Sequence, residues 1–349
     1  MSQLALLYES HGQQSVESNP IPEPREGYVQ VRIEAAAFNP VDYKIFDRDS
    51  GLLIQTYPIV LGADAAGVVT RLGPGVTKFK VGDRVAFLCA PAPDGVGAGE
   101  IGGFQQYAVA DVKITFKIPA NADFDAASSF PGAGMTAGRA LYAQLGLKTP
   151  WAGGEGAYKG EKMVVLGGSS SVGSYTVQLA VLSGFEVIST ASPAHFAYVK
   201  SLGASTVIDR SAPDAAAQIL AAAGGPVKYV VDSISLAPTQ ILAVDVLQSQ
   251  GKLVLELGAD PSAKAAADAR SIAILLQMGA GAYYKKCSII HCREDFWDSI
   301  QGWVERGVLK FNRTRILPGG LRAWEEGFDL HRQGKVSGVK LVMHPQETE

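Results

Sequence analysis

Cysteine is scarce in this chain of 349 residues, which contains only Cys89, Cys287 and Cys292. Three cysteines cannot form the disulfide framework of a small secreted protein, so we expect a reducing compartment, the cytoplasm. No sign of charge dominates, since 31 Lys and Arg face 34 Asp and Glu, and the absence of a basic block argues against nucleic-acid and membrane partners. No apolar run approaches the roughly 20 residues of a membrane-spanning helix.

Hydrophobic residues are abundant, at 47% of the chain, and the length predicts two domains. Up to about residue 125, short β-rich runs lie between clusters of proline and glycine. In one of them Val29, Val31 and Ile33 alternate with polar residues. This two-residue period is typical of a strand with one solvent-exposed face. This part is predicted to be a barrel-like β domain.

From about residue 126 the pattern changes to apolar strand-like runs that alternate with segments rich in alanine and leucine. Runs such as MVVLG, KYVVDSI and KLVLELG are apolar throughout, as expected for strands that helices cover on both faces. Alternation of this kind is typical of a doubly wound parallel sheet. The second part is therefore predicted to be an α/β domain.

The most informative segment, residues 163–173, is an apolar strand that leads through a turn of small residues into a helix. Such a turn lets backbone N–H groups and the helix N-terminus approach a pyrophosphate. Because a serine replaces the middle glycine of G-x-G-x-x-G, an ordinary strand–helix turn is the alternative. The residues predicted to bind the dinucleotide here are Gly168, Ser169, Ser170, Ser171, Val172 and Gly173.

The next strand-like run, which ends at Ser192-Pro193, carries no carboxylate where an NAD site would hold the ribose hydroxyls. A 2′-phosphate would instead be bound by hydroxyls and cations, which Ser192, Lys200 and Arg210 could supply. The pattern favours NADPH over NADH. For Lys200 and Arg210 the alternative is a solvated surface charge.

At this point nearly the whole chain resembles the medium-chain dehydrogenase/reductase superfamily. The resemblance implies a GroES-like β-barrel catalytic domain, residues 1–125 and 294–349, and a Rossmann NADP(H)-binding domain, residues 126–293. The turn and the run ASPAHFAYVKSLGA are most similar to the zinc-free fungal branch, which contains trans-acting enoyl reductases of polyketide pathways and quinone-oxidoreductase-like proteins. The matching motifs are AAAFNPVDYK (35–44), LGADAAGVV (61–69), VGDRV (81–85), FPGAGMTAGRAL (130–141), GGSSSVG (167–173), KSLGA (200–204) and SGVKLV (337–342).

Zinc is not expected. Where zinc members of the superfamily carry ligands, this chain has Asn39-Pro40, Gly62-Ala63-Asp64 and Gly132, and Cys89 alone stands in the stretch that matches the structural zinc lobe.

A residual metal hypothesis would use Cys287, His291 and Cys292. On a strand the last of these would point away from the other two, which disfavours it.

Without a metal, the natural chemistry is hydride transfer to a conjugated C=C or a quinone, with a hydrogen-bond donor stabilising the enolate. The resemblance implies catalytic roles for Lys44, Tyr43 and Thr136, although Lys44 could be a helix-surface lysine beside Asp42, and Thr136 is better suited to orienting the nicotinamide than to proton transfer. It also implies cofactor contacts from Asn39, Asp42, Leu257, Val336 and Ser337.

The partners expected are a small acyl, enone or quinone substrate and, for a trans-acting enoyl reductase, a polyketide synthase carrier protein. A metal-free carbonyl reductase and a non-catalytic NADPH-binding protein are the alternatives, and both a monomer and a homodimer are open. The apolar, Gly-interrupted segment 271–284, which contains Met278, could form a substrate wall, but core packing or a subunit interface explains it better.

Overall fold

The computed structural model describes residues 1–10, 12–48, 57–89, 98–277 and 294–349. The residues of the metal hypothesis, Cys287, His291 and Cys292, lie outside the described residues, as does the half of the predicted substrate wall from Met278 to residue 284. Within the described ranges no helix is both long enough and apolar enough to cross a bilayer.

The first part of the chain is β-rich, as its alternating runs predict. Val29, Val31 and Ile33 are fully buried, and Arg32 and Glu34 are partly exposed, whereas Gln30 is buried despite its polar side chain. Its strands are β1 (Ser2–Ser10), β2 (Gln13–Pro20), β3 (Tyr28–Ala37), β4 (Ile59–Val60), β5 (Asp64–Leu72), β6 (Arg84–Leu88), β7 (Tyr107–Asp111) and β8 (Thr115–Lys117). Its helices are α1 (Pro40–Arg48), α2 (Ala98–Ile101), α3 (Phe124–Ser128) and α4 (Pro131–Gly138).

The second part contains a six-stranded sheet in which every neighbouring pair is parallel. Its strands are β9 (Lys162–Leu166), β10 (Glu186–Ala191), β11 (Thr206–Asp209), β12 (Val227–Asp232), β13 (Leu247–Leu255) and β14 (Ala273–Leu276), and their order is β11-β10-β9-β12-β13-β14. The helices between them are α5 (Ser171–Leu182), α6 (Phe196–Ser201), α7 (Ala215–Ala223), α8 (Ala237–Val246) and α9 (Pro261–Ala269). The prediction of a doubly wound, Rossmann-type sheet is confirmed.

The last described stretch returns to the first part of the chain. It contains α10 (Glu294–Glu305), β15 (Thr314–Ile316), α11 (Trp324–Arg332) and β16 (Lys340–Met343). β16 pairs antiparallel with β3, which completes a sheet in the order β15-β16-β3-β5-β6-β8, with β7 also paired to β3. This sheet and the parallel sheet give the α/β fold of a GroES-like domain with a Rossmann domain. The domain boundaries at 125/126 and 293/294 stay a prediction.

Two features of the fold had no clear pattern in the sequence. The first is β2, whose polar run QQSVESNP pairs antiparallel with β1 in a small sheet of order β2-β1-β4. The second is a π-helical stretch over Arg139–Gln144, which directly continues α4. Neither has the apolar periodicity on which sequence-based prediction depends.

Packing fixes the two helices that carry the predicted catalytic residues. α1 lies against α11, where Asp47 and Arg332 form a salt bridge of 2.6 Å. α4 lies against α5, where the ring of Phe130 meets the ring of Tyr175 edge-on at 4.9 Å. The hydroxyl of Tyr175 is also 2.8 Å from that of Ser129, so buried polar contacts and aromatic packing both hold this helix pair.

Candidate active site

The turn from β9 into α5 is sterically tight. Gly167 has a φ of +77°, which favours glycine. A Cβ at Gly168 would lie 2.2 Å from the Ser189 hydroxyl, and a Cβ at Gly173 would lie 2.2 Å from the Gly167 carbonyl. Such a cradle lets a backbone approach a phosphate closely at the N-terminus of a 12-residue helix, so these residues fit a dinucleotide.

The three serines of the turn have different surroundings. Ser170 caps α5, because its hydroxyl accepts a hydrogen bond of 3.0 Å from the Gly173 N–H. Ser171 accepts one of 2.7 Å from the side-chain amide of Asn312. The Ser169 hydroxyl, which is partly buried, has no hydrogen-bond partner within the described part of the chain. Ser169 is therefore the serine whose hydroxyl is best placed to serve a ligand.

A second polar group lies where β10 ends, beside Ser192. His195 follows on the next turn; its Nε2 is 2.9 Å from the Ser337 hydroxyl, and its Nδ1 is 3.2 Å from Nη2 of Arg313. Since the guanidinium can only donate, His195 accepts at Nδ1 and is neutral. Burial lowers the pKa of His195, and the positive charges of Arg313 and Arg210 lower it further. We call Ser192, His195, Arg210, Arg313 and Ser337 the cationic corner.

The positions that carry zinc ligands in zinc members converge here on a buried ion pair. Lys340 donates from Nζ to Asp64 over 3.0 Å and to the Asn39 side-chain oxygen over 2.5 Å. The Asn39 amide donates to the same Asp64 oxygen over 3.0 Å, and the Gly132 N–H donates to the other over 2.5 Å. Lys340 is 3% exposed and Asp64 is fully buried. We call Asn39, Asp64, Gly132 and Lys340 the Lys340 network.

A second carboxylate lies beside this network. Asp42 is 2% exposed and accepts a hydrogen bond of 2.7 Å from the Asn39 backbone N–H. Burial raises the pKa of Asp42 to about 7, and the negative charge of Asp64 contributes to the rise. Burial also raises the pKa of the Cys89 thiol, again with Asp64 adding to the effect. The Asp42 carboxyl thus lies beside the Lys340–Asp64 ion pair and keeps its proton to a higher pH than an exposed aspartate would.

The predicted catalytic residues of α1 meet a histidine from α11. The ring of Tyr43 stacks on that of His331, with centroids 6.2 Å apart and planes 16° apart. Burial lowers the pKa of His331 to about 4, and the ammonium groups of Lys340 and Lys44 lower it further. The Nε2 atom of His331 is buried and has no hydrogen-bond partner among the described residues, which is costly unless a ligand or water pairs with it.

Thr136 lies on α4, one turn after Gly132, and its hydroxyl donates to the Gly132 carbonyl over 2.7 Å. Its own carbonyl accepts a hydrogen bond of 2.9 Å from Gln277, just beyond β14. Directly after β13, burial raises the pKa of Glu256 to about 8, and Leu257 follows with 41% exposure. Thr136 is thus fixed through Gly132 to the Lys340 network.

The structure distributes the predicted residues over several groups. Asn39 and Asp42 lie within or beside the Lys340 network, and Ser192, Arg210 and Ser337 lie in the cationic corner. Lys200 is exposed on α6, and Val336 is half-buried near the start of β16. Cofactor contacts for these residues stay predictions.

Comparison with known proteins agrees with this architecture. Residues 25–120 match the family described as Alcohol dehydrogenase GroES-like domain, and residues 171–287 match the family described as Zinc-binding dehydrogenase. The chain is 33% identical to the trans-enoyl reductase himH of Aspergillus japonicus, over 92% of this chain and 90% of that relative. The chain belongs to the medium-chain dehydrogenase/reductase superfamily, in its fungal enoyl reductase branch.

Two further proteins align with this chain over almost its whole length. The trans-enoyl reductase RAP2 of Pyricularia oryzae is 30% identical, over 97% of each chain. The crystal structure of an alcohol dehydrogenase superfamily protein from Novosphingobium aromaticivorans superposes with a TM-score of 0.81 at 26% identity, over 98% of this chain and 99% of that one. Membership makes the protein an oxidoreductase.

The zinc named in one of these family descriptions does not fit the residues of this dehydrogenase/reductase. The Asn39 side chain is already bonded to Asp64 and Lys340, and position 63 is an alanine. A side chain at position 132 would collide with Asp64, because a Cβ there would lie 2.8 Å from Oδ1. A buried ammonium at this point would also repel a divalent cation.

Four functional candidates were missed from the sequence: Lys340, His331, His195 and Arg313. The spacing of the histidines matches no catalytic motif. Lys340 and Arg313 lie in the last stretch of the chain, which folds back onto the first part. Only the SGVKLV motif pointed to this region, and it did not single out Lys340 as a charged site residue.

Proposed function

We propose that the protein is a zinc-independent, NADPH-dependent reductase that transfers hydride to an activated C=C, in an enoyl, enone or quinone substrate. The observation that carries this proposal is the ion pair held by the segments that match the zinc-ligand segments of zinc members. Lys340 donates to Asp64 and Asn39, and the Gly132 N–H donates to Asp64. The residues of the Lys340 network do not offer the ligands of a metal ion that would polarise an alcohol or ketone. The names of two relatives, both trans-enoyl reductases, support the same reaction.

The β9–α5 turn would hold the dinucleotide through Ser169 and the N-terminal amides of α5. The cationic corner, with Ser192, Arg210 and Arg313, offers a hydroxyl and two guanidinium groups to a 2′-phosphate, and this favours NADPH over NADH. When bound, the nicotinamide supplies the hydride. Thr136 would orient the ring from α4.

The remaining chemistry falls to Lys44 and Tyr43 on α1. Hydride addition to the β-carbon of a conjugated carbonyl leaves negative charge on the carbonyl oxygen, and a donor that meets this charge lowers the barrier. The Lys44 ammonium supplies that donor, with the Tyr43 phenol beside it. A proton from solvent then adds to the α-carbon, or to the oxygen when the acceptor is a quinone, and the products are the reduced substrate and the oxidised dinucleotide.

The test is an NADPH-oxidation screen on chelator-treated enzyme. The acceptors are 2-enoyl thioesters of coenzyme A and of a polyketide synthase carrier protein, quinones, enones and saturated ketones. Turnover of the conjugated acceptors supports the proposal. Turnover confined to ketones would replace it with carbonyl reduction, and tight NADPH binding without any turnover would replace it with a binding role.

A pair of variants tests the assignment of Lys44. We expect Lys44→Met to lower kcat on the best acceptor by about a hundredfold while leaving the Kd for NADPH within about twofold. The matched control is Lys264→Met, which removes an exposed lysine of α9 and leaves kcat unchanged. Equal activity of the two variants would remove Lys44 from the reaction.

A further inference from the structure

Lys340 is an unusual residue to find buried. Its side chain is 4% exposed, and it comes from β16, far along the chain from every group to which it donates. An ammonium loses several kcal/mol of solvation when it is buried, so such a residue persists only where its partners repay that loss. Here the partners are Asp64 and Asn39, at 3.0 and 2.5 Å.

The contacts of the Lys340 network reach both walls of the candidate site. On one side, Asn39 precedes α1, and its backbone N–H is bonded to Asp42 within the first turn of that helix. Tyr43 and Lys44 follow directly. Any movement of Asn39 therefore shifts the helix that presents the proposed catalytic ammonium.

On the other side, Asp64 holds the backbone of α4 through the Gly132 N–H at 2.5 Å. Thr136 is bonded to the carbonyl of the same Gly132 at 2.7 Å. The placement of Thr136 relative to the nicotinamide therefore depends on where the Asp64 carboxylate lies, and Lys340 fixes that carboxylate.

We infer that Lys340 is a positioning residue whose ammonium supplies the cation around which both walls of the active site are arranged. The positive charge of Lys340 is as important for this role as the shape of its side chain, because it attracts the Asp64 carboxylate and the nearby Asp42. The inference rests on the proposed function, since the walls that it couples are those proposed to act on substrate and nicotinamide.

The test begins with Lys340→Met, which keeps most of the side-chain volume and removes the charge. We expect kcat to fall on the order of a hundredfold, as for a misplaced catalytic group, while KM for the acceptor changes much less. Lys340→Ala with added ethylammonium should recover at least part of the lost kcat, because the amine restores the cation. Lys310→Ala is the matched control: its exposed Nζ donates to the Ser201 carbonyl, and neither its loss nor ethylammonium should alter kcat.

Unfolding of Lys340→Met would obscure this result, so Asp64→Asn/Lys340→Met is measured as well. The double variant buries no unpaired Asp64 carboxylate and should regain stability without regaining kcat. Wild-type kcat in Lys340→Met or in the folded double variant would overturn the inference, since the pair would then be structural only.

Absence of turnover in the wild-type enzyme would instead refute the proposed function. In that case the Kd for NADPH tests the role of Lys340. Lys340→Ala should bind NADPH more weakly than wild type, and ethylammonium should restore the affinity. Unchanged NADPH affinity in a folded Lys340→Ala would overturn it.

Discussion

The side-chain amide of Asn312 donates a hydrogen bond of 2.7 Å to the hydroxyl of Ser171, the first residue of α5. Asn312 lies on the returning part of the chain and is 6% exposed. Its backbone N–H also lies 3.1 Å from the Tyr175 hydroxyl, which accepts from it. The chain that leads to β15 is thereby fastened to the helix end at which we place the pyrophosphate.

Asn312→Asp should weaken the binding of NADPH. The new carboxylate lies beside Ser171, where it repels the phosphates and removes the N–H donor. We expect the Kd, measured by fluorescence titration, to rise about tenfold at low salt and by less in high salt. Asn312→Ala removes the same donor without adding charge, so its Kd should not depend on salt in this way. Identical salt dependence of the two variants would contradict an electrostatic effect.

Gly168→Ala should also weaken NADPH binding, for a steric reason. The added Cβ lies 2.2 Å from the Ser189 hydroxyl, so the turn must move. We expect the Kd to rise tenfold or more, by about 1.4 kcal/mol at least. Because Ser189→Ala removes the colliding hydroxyl, the double variant Gly168→Ala/Ser189→Ala should recover part of the affinity. No recovery would mean that the collision with Ser189 is not the cause.

Ser192→Asp should reverse the preference between the two nicotinamide dinucleotides. An aspartate at the end of β10 repels a 2′-phosphate and can accept hydrogen bonds from ribose hydroxyls. We expect kcat/KM for NADPH to fall at least about tenfold and kcat/KM for NADH to rise. Arg210→Ala should lower only the NADPH value. If both variants leave the ratio of the two values unchanged, the cationic corner does not bind the 2′-phosphate.

Asp42→Asn should stabilise the protein increasingly as pH rises. In the folded state the pKa of Asp42 is raised to about 7, from 3.8. The folded protein therefore binds the extra proton over this range, and the wild type loses stability as pH rises from about 4 to about 7. The difference in unfolding free energy should grow by at most about 1.4 kcal/mol per pH unit and level off above about pH 8. Urea unfolding of both proteins checks this, and parallel curves would contradict it.

His331→Gln should have the opposite dependence. Burial and two neighbouring ammonium groups lower the pKa of His331 to about 4, from 6.5. The unfolded chain then binds more protons than the folded one between about pH 4 and 6.5, so the wild type loses stability as pH falls through this range. The variant lacks this loss, which amounts to at most about 3 kcal/mol. A wild-type minus variant difference that does not change with pH would show that His331 titrates normally.

The sequence predicts those parts of the fold that are governed by local periodicity. The parallel sheet follows from apolar runs such as Met163–Leu166, and the β9–α5 turn follows from small residues whose spacing has a steric reason. The Lys340 network does not follow, because its four members come from β16, β5, α4 and the loop before α1. Periodicity carries no information about which distant polar residues meet.

The misjudged residues show the same limit. Cys89 was considered only as a member of a missing zinc lobe, whereas the structure places it close enough to Asp64 and Asp42 for both charges to raise its pKa. The spacing of the histidines in the sequence does not mark His331 as a site residue. Its stacking on Tyr43 arises only when α11 packs against α1, which no motif in either segment specifies.

The pairing of β16 with β3 also determines the order in which the molecule can be built on the ribosome. Asn39 and Lys340 are 301 residues apart in sequence, and the whole parallel sheet is synthesised between them. A nascent chain can thus synthesise every strand of the parallel sheet while the sheet that contains β3 still lacks β15 and β16, and while the Asp64 carboxylate still lacks its cation. The Lys340 network can be completed only once β16 has been synthesised, so a chain interrupted before β16 would carry the β9–α5 turn without Lys340.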